Sequence, residues 1–289
     1  MSLVFFSLLD FLNCIIDNHK RRFVTPAEED RISQLPDNLT NLILERLPIQ
    51  DAVRTSILST NWRYKWTTIG SLVLDKNFSE KFARNGAFGL NGFIRTVNQL
   101  FNYLKGPILK VYLYIPNMFL DSFQEVDQWI FSVSKGHLFV AENISNLLPN
   151  KANSLKILKI VNINFGDMDQ LQGALCMLRN SPNLEQLHMM NSQMSQHLRF
   201  DVTPALRYLE ASNCLGQTLI QLKTIEITRV DGSRPVLLFI KLLLAHSHTL
   251  EKLSIQPNVT DVHQRLNIAK HVMQFPRASS KAELLYLNP

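Results

Sequence analysis

The chain has 289 residues, of which 46% are apolar and 19% charged, and a formal net charge of +6. That is long enough for a sizeable core, divided between one small and one large domain. Lysines and arginines stand singly rather than in a stripe, so ordinary solvated charge is expected and no nucleic-acid partner. The one dense basic run, His19-Lys20-Arg21-Arg22, is too short to be more than a weak nuclear-entry candidate. Cys14, Cys176 and Cys214 lie far apart. They form neither a disulfide framework nor a CxxC metal site, and their usage fits a reducing compartment, cytoplasm or nucleus.

Leu3 to Ile16 is apolar but has no positive segment before it and no small-residue cleavage site, carries Asp10 in its middle and is followed by its basic cluster. It is also shorter than a membrane span. A packed or frayed helix is expected there, with no membrane partner, and residues 1–27 form an atypical N-terminal segment.

Residues 30–66 are the most informative stretch. Leu35-Pro36 and Leu47-Pro48 each stand where a helix would begin, because proline fits a first turn in which its missing N–H would be unpaired anyway. Leu39, Leu42, Ile43 and Leu47 recur at three and four residues, the spacing of one helical face. Ala52, Val53, Ser56 and Ile57 make a second short face, and Trp62 and Trp66 stand four apart in a third segment, Asn61 to Thr67. The reading is three short helices. So small a unit leaves apolar surface uncovered. Spacing alone leaves two readings open, a docking surface of the helix-in-groove kind or packing against the rest of the chain.

Past Trp66 strand and helix alternate. Leu72 and Leu74 alternate like a strand, as do Leu109, Val111, Leu113 and Ile115. Between them Phe93, Val97, Leu100, Phe101 and Leu104 fall at helical spacing until Gly106-Pro107, and Val126, Trp129, Ile130 and Val133 suggest another helix. From residue 153 an L-x-x-L-x-L unit recurs in SLKILKI, NLEQLHM, ALRYLEA, QLKTIEI and TLEKLSI. Their leading leucines, Leu155, Leu184, Leu206, Leu222 and Leu250, are 29, 22, 16 and 28 residues apart. Each is expected to be a short strand of an irregular leucine-rich-repeat-like solenoid, with helices at Met168–Leu178 and Val236–Ala245. Ser233 and Pro235 start the second of these, VLLFIKLLLA is apolar on nearly every side and so buried, and His263 to Phe275 is amphipathic.

The string L-P-D-x-x-x-x-x-I-L-x-x-L-P-x-x-D-A-V-x-T-S-x-L-S-x-x-W-R-x-x-W resembles the F-box of plant F-box proteins across its whole length. The order strand, D-G-S, buried helix, L-E-K-L-x-I, helix, F-x-R-A-S-x-K-A-E and final strand resembles their FBD domain. Together these place the chain, apart from its first 28 residues, beside the plant F-box/FBD/leucine-rich-repeat family. The implied fold class is α/β, with a three-helix F-box at 28–68, a repeat region at 69–216 and an FBD cap at 217–289. Departures are Thr40-Asn41 and Thr60-Asn61 within the F-box, an irregular stretch from Lys135 to Ser154, and a chain shorter than usual for the family.

The resemblance implies a substrate-recognition subunit of an SCF-type cullin-RING ubiquitin ligase. Its F-box holds a Skp-type adaptor, and through it a cullin, while the repeats and FBD hold a target protein that no motif identifies. Leu35, Pro36, Leu39, Ile43, Leu47, Pro48, Val53, Leu58 and Trp62 are the expected adaptor contacts. The alternative is a scaffold or decoy with an incomplete repeat array, and a third reading is a basic nucleic-acid-binding solenoid.

Catalysis has little support, since the chain has no Gly-rich phosphate loop, HExxH or GxSxG. No catalytic residue, metal or cofactor is expected. His246 and His248, two apart before a strand, read as exposed histidines, Cys176 and Cys214 as small core residues, and Asn162, Asn191 and Asn213 as turn-capping groups.

Overall fold

The computed structural model describes residues 34–84, 103–115, 154–192, 201–211 and 219–288, with 32, 96, 97, 99, 100 and 215. The expectations for the N-terminal segment, for Val126 to Val133, for the irregular stretch up to Asn153, and for Cys214 and Asn213 lie outside these residues.

Two short α-helices, α1 (Asp37–Leu44) and α2 (Ile49–Arg54), each start directly after one of the two prolines. Single 3-10 turns follow at Thr55–Ile57 and Lys65–Thr68. The third expected helix is therefore not an α-helix: Asn61 to Tyr64 is a turn, and only Lys65 onward winds, in the tighter form. Both indoles are nonetheless buried. The four-residue spacing of Trp62 and Trp66 is met by turn and 3-10 winding together, each held by local hydrogen bonds from Trp62 N to Ser59 O and Thr67 N to Tyr64 O.

Beyond this helical region lies one sheet of seven strands, all parallel and in sequence order. They are β1 (Ser71–Leu74), β2 (Lys110–Tyr114), β3 (Ile157–Ile163), β4 (Gln186–Asn191), β5 (Thr224–Val230), β6 (Lys252–Pro257) and β7 (Glu283–Tyr286). The connections carry helices α3 (Lys76–Arg84), α4 (Met168–Arg179), α5 (Thr203–Glu210), α6 (Arg234–His246) and α7 (Val262–Met273). Residues 96, 97, 99, 100 and 103 are also helical, where the sequence spacing puts a helix.

Register explains the core. Leu72, Val111, Leu158, Leu187, Ile225, Leu253 and Leu284 are successive partners across the sheet, and so are Leu74, Leu113, Ile160, Met189, Ile227, Ile255 and Tyr286. Successive side chains on a strand point to opposite faces, so one face collects both rows. They join a single apolar cluster with Leu171, Leu175 and Leu178 of α4 and Val236, Phe239, Ile240 and Leu243 of α6. Phe239 meets Phe165 at a ring separation of 4.9 Å.

Local chemistry starts the helices. Asp167 and Asp261 precede α4 and α7 and accept hydrogen bonds from the second and third amides beyond them, the N-cap arrangement. Burial pushes the Asp167 carboxyl up, against the lowering effect of the backbone bonds it accepts. Ser233 precedes α6 as expected, but its side chain makes no cap bond. The α3 helix was not foreseen. Its start is signalled by Asp75, whose carboxylate accepts from Phe78 N at 2.8 Å.

One expected strand is a helix. ALRYLEA falls in α5, with Pro204 in the first turn and Ala205 and Leu209, four residues apart, buried. A leucine pair three apart fits a helical face as well as a strand, and alanine, leucine, arginine and glutamate favour the helix. Removing this unit leaves leading leucines 155, 184, 222 and 250, one per strand from β3 to β6. Asn162 and Asn191 are also not turn caps: both lie in strands. Asn162 sits at φ 68 where the β3–β4 register shifts, and its amide donates to Ile115 O at 2.7 Å, tying β3 to the end of β2.

The last strand is fixed at several points. Ala278 N donates to Leu244 O at 2.9 Å, Ser279 Oγ to Leu250 O at 2.6 Å and the Tyr286 hydroxyl to Arg265 O at 2.8 Å. Deleting residues 276–289 uncovers the inner row at Leu253 and Ile255. The expected outcome is aggregation or loss of a single cooperative melting transition in calorimetry; a truncated monomer with unchanged melting would show that this tail covers nothing that matters.

Candidate docking surface

The helical region has an inside and an outside. In α1, Thr40 and Leu44 are buried, and the Thr40 hydroxyl donates to Pro36 O at 3.2 Å within the helix. Leu39, Leu42 and Ile43 lie on the opposite side and are 44–52% exposed. The apolar spacing read from the sequence therefore marks the face turned to solvent. In α2, Ile49, Ala52 and Val53 are buried, as is Ser56 in the turn after it, whose hydroxyl donates to Arg63 O at 2.9 Å. Ile57, expected on that inner face, is instead 71% exposed, with Leu58 beside it at 54%. The chain has tightened into a 3-10 turn there, which rotates Ile57 off the helical face.

The module is seated on the sheet. Trp66 meets Tyr103 edge-on at 6.1 Å, Glu45 Oε1 accepts from Gly70 N at 3.3 Å at the mouth of β1, and Leu44, Ile49, Val53, Trp62 and Trp66 belong to the same cluster as the strands. Trp62 Nε1 donates to Ile32 O at 3.2 Å, and Lys65 pairs with Asp37 at 3.1 Å while lying 5.8 Å from the Trp62 ring centre. Both readings left open by spacing thus hold for different residues: one face packs on the chain and the other stays uncovered.

Of the residues expected to make contacts, Pro36, Leu39, Ile43 and Leu58 are exposed. Leu35, Leu47 and Pro48 are half-buried, the two leucines against the core. Val53 and Trp62 are buried and hold the face from beneath. Leu42 and Ile57 belong to the exposed set and were missed, although Leu42 carries the same periodic signal as Leu39 and Ile43.

A second surface is the face of the sheet away from the core. Val73, Tyr112, Lys159, His188, Glu226, Ser254 and Leu285 are successive partners along it. Lys159 Nζ lies 5.2 Å from the Tyr112 ring centre, and His188 Nδ1 is 2.9 Å from Glu226 Oε2. Burial, then Asp75 and Tyr114, push the Tyr112 phenol up. At the strand-entry end Glu185 bridges Lys156 at 3.0 Å and Lys223 at 3.4 Å. Hydrogen bonds from these two lysines hold its carboxyl below the usual range.

Among the described residues no cluster of three His, Cys, Asp or Glu is placed to hold a metal, and no helix is long and apolar enough to cross a membrane. His246, expected to be exposed, ends α6 and is half-buried, with Nδ1 2.9 Å from Leu242 O, whereas His248 is exposed. Cys176 lies in α4, its sulfur 3.3 Å from Asn180 Nδ2.

The described architecture is a small helical module with one exposed apolar face, set before parallel strands stacked in sequence order. Residues 32–73 match the F-box domain family. An F-box/FBD/LRR-repeat protein of Arabidopsis thaliana is 36% identical over 106 residues, 37% of this chain and 25% of its own length. Another of that description from the same plant is 58% identical over 48 residues, 17% of this chain and 11% of its own length. An Arabidopsis F-box/LRR-repeat protein is 24% identical over 237 residues, 71% of this chain and 76% of its own length. The first of these matches spans about a quarter of its relative. The chain carries an F-box domain and is similar over parts of its length to plant F-box/FBD/LRR-repeat proteins.

Two outcomes separate supporting from exposed positions. Trp62→Ala empties a buried site and is expected to cost about 3–5 kcal/mol in denaturant unfolding, whereas Leu58→Ala stays within about 0.5 kcal/mol. Similar losses for both would place Leu58 in the core. For the Glu185 bridge, a depressed carboxyl stabilises the fold above its unfolded pKa, and that contribution is lost as pH falls through the lowered folded value. Lys156→Met should raise the Glu185 titration midpoint seen by carboxyl-carbon NMR, and an unmoved midpoint would contradict the bridge.

Proposed function

We propose that the chain is a substrate-recognition subunit of an SCF-type cullin-RING ubiquitin ligase, performing no chemistry itself. F-box domains generally bind Skp-type adaptors, and the uncovered apolar face supports that role here. The observation that carries the reading is that Leu39, Leu42 and Ile43 stay exposed although the other side of α1 is buried against the chain. Folding has already used one face, and an external partner is what remains for the other. The proposed boundaries are an F-box at 28–68, repeats at 69–216 and an FBD domain at 217–289.

The contact set is refined by burial. Pro36, Leu39, Leu42, Ile43, Ile57 and Leu58 make the adaptor face, with Leu35, Leu47 and Pro48 at its margin, while Val53 and Trp62 shape it from below. Each large aliphatic side chain contributes about 1.5–3 kcal/mol on full burial, before the ordering costs of association.

The sheet is proposed as the leucine-rich-repeat array, its open face with the FBD presenting a target protein. Its continuity favours this over the decoy reading, because β3 pairs directly with β2. Cytoplasm and nucleus are the proposed locations, consistent with the sparse cysteines.

The test is coexpression of the full chain with a plant Skp-type adaptor, followed by copurification and calorimetric titration. A complex is expected whose affinity changes little between low and physiological salt, and which weakens at least about tenfold on Leu39→Lys or Ile43→Lys. No complex from folded components overturns the reading, and a strong salt dependence would move the contacts to Arg46 and Arg54. Adaptor-dependent ubiquitination of a captured partner then separates a receptor from a decoy.

A further inference from the structure

Helix α1 has little of its own to hold it in place. It has 8 residues, its N-cap is Pro36, which makes no side-chain cap bond, and its last turn carries no basic residue. A helix this short takes its stability from what it packs against. With about 3.6 residues per turn, Asp37, Thr40 and Leu44 share one side of α1, and Leu39, Leu42 and Ile43 take the other. The roll of α1 about its own axis therefore decides whether those three apolar residues point outward. Burial of Thr40 and Leu44 fixes that roll only at the middle and the C-terminal end.

The segment from Lys65 to Gly70 grips α1 at both ends. At the C-terminal end Glu45 Oε1 accepts from Gly70 N at 3.3 Å. At the N-terminal end Lys65 Nζ lies 3.1 Å from Asp37 Oδ1. The two side chains are unequal, since Asp37 is 89% exposed and Lys65 only 20%, with its ammonium 5.8 Å from the centre of the buried Trp62 ring. A lysine so withdrawn from water holds its counter-ion more firmly than one that stands in solvent. The indole is itself tied to the entry of α1, because Ile32 O accepts both Trp62 Nε1 at 3.2 Å and Leu35 N at 3.3 Å. Lysine, ring and aspartate make a clasp from the second 3-10 turn to the first turn of the helix, directly behind the exposed apolar face.

We propose that Lys65 and Asp37 are positioning residues for the adaptor face. They touch no partner, but set the roll of α1 and with it the outward presentation of Leu39, Leu42 and Ile43. The inference rests on the adaptor-binding role proposed above. Because Asp37 is open to water the pair is a weak one, and its loss changes affinity about two- to fivefold.

The experiment titrates the full chain with a plant Skp-type adaptor in a calorimeter and records hydrogen exchange of the α1 amides on the free chain. Lys65→Met and Asp37→Asn are each expected to weaken the complex by that factor and to quicken α1 exchange, with unchanged melting. Lys65→Arg, which keeps the charge and the reach, should bind and exchange as the original chain does. The double variant should be no weaker than either single one, because both substitutions remove one interaction. Additive losses would make Asp37 a direct adaptor contact and overturn the clasp. Unchanged affinity or exchange in either single variant, no rescue by arginine, or losses that only follow a lowered melting temperature overturn it equally. An unsubstituted chain that binds no adaptor overturns the receptor reading and the positioning role with it, whereas one that binds while the substitutions do nothing overturns the clasp alone.

Discussion

Parallel strands can share a hydrogen-bonded ladder only if each is followed by a connection long enough to bring the chain back, and among the described residues these returns carry helices. What holds the stack together is the pair of inner rows that run from Leu72 and Leu74 to Leu284 and Tyr286. No single strand–helix unit can bury its own aliphatic face, so each depends on the next. A one-residue slip at any strand would send its core residues to the open face, and the register shifts at Asn162 and Arg229 come only after the two inner rows have been paired. Both bulge residues have positive φ, the conformation that lets a strand gain a residue and rejoin its ladder.

The same constraint shapes the helical module. Two short helices and two 3-10 turns bury too little to stand alone, so their inner side, Leu44, Ile49, Val53, Trp62 and Trp66, extends the core of the sheet. That fixes the orientation of α1 and leaves Leu39, Leu42 and Ile43 outside. The residues beneath this exposed face belong to the main core rather than to a loop. Thr40, a departure from the family pattern, sits on the inner side, where its hydroxyl is satisfied by Pro36 O. It takes nothing from the outer face.

The described sheet is anchored on both flanks. At β1 the helical module packs on it, and at β7 Ala278, Ser279 and Tyr286 tie the strand to the unit before it.

The sequence by itself determined the strands at 71–74, 110–114, 157–163, 186–191, 224–230 and 252–257, the helices after Asp167, Ser233 and Asp261, and the proline-led helix starts. Each is a local signal: alternation, a cap, or a ring that cannot donate. It also identified the apolar residues of the F-box. Only tertiary structure decided which of them stay exposed, because Leu39, Val53 and Leu58 carry the same hydrophobic signal whether buried or not. Likewise ALRYLEA has spacing that fits both a strand and a helix, and its place between β4 and β5 settled it as α5. Periodicity reports that a residue prefers to leave water, whereas what it packs against is a property of the whole chain.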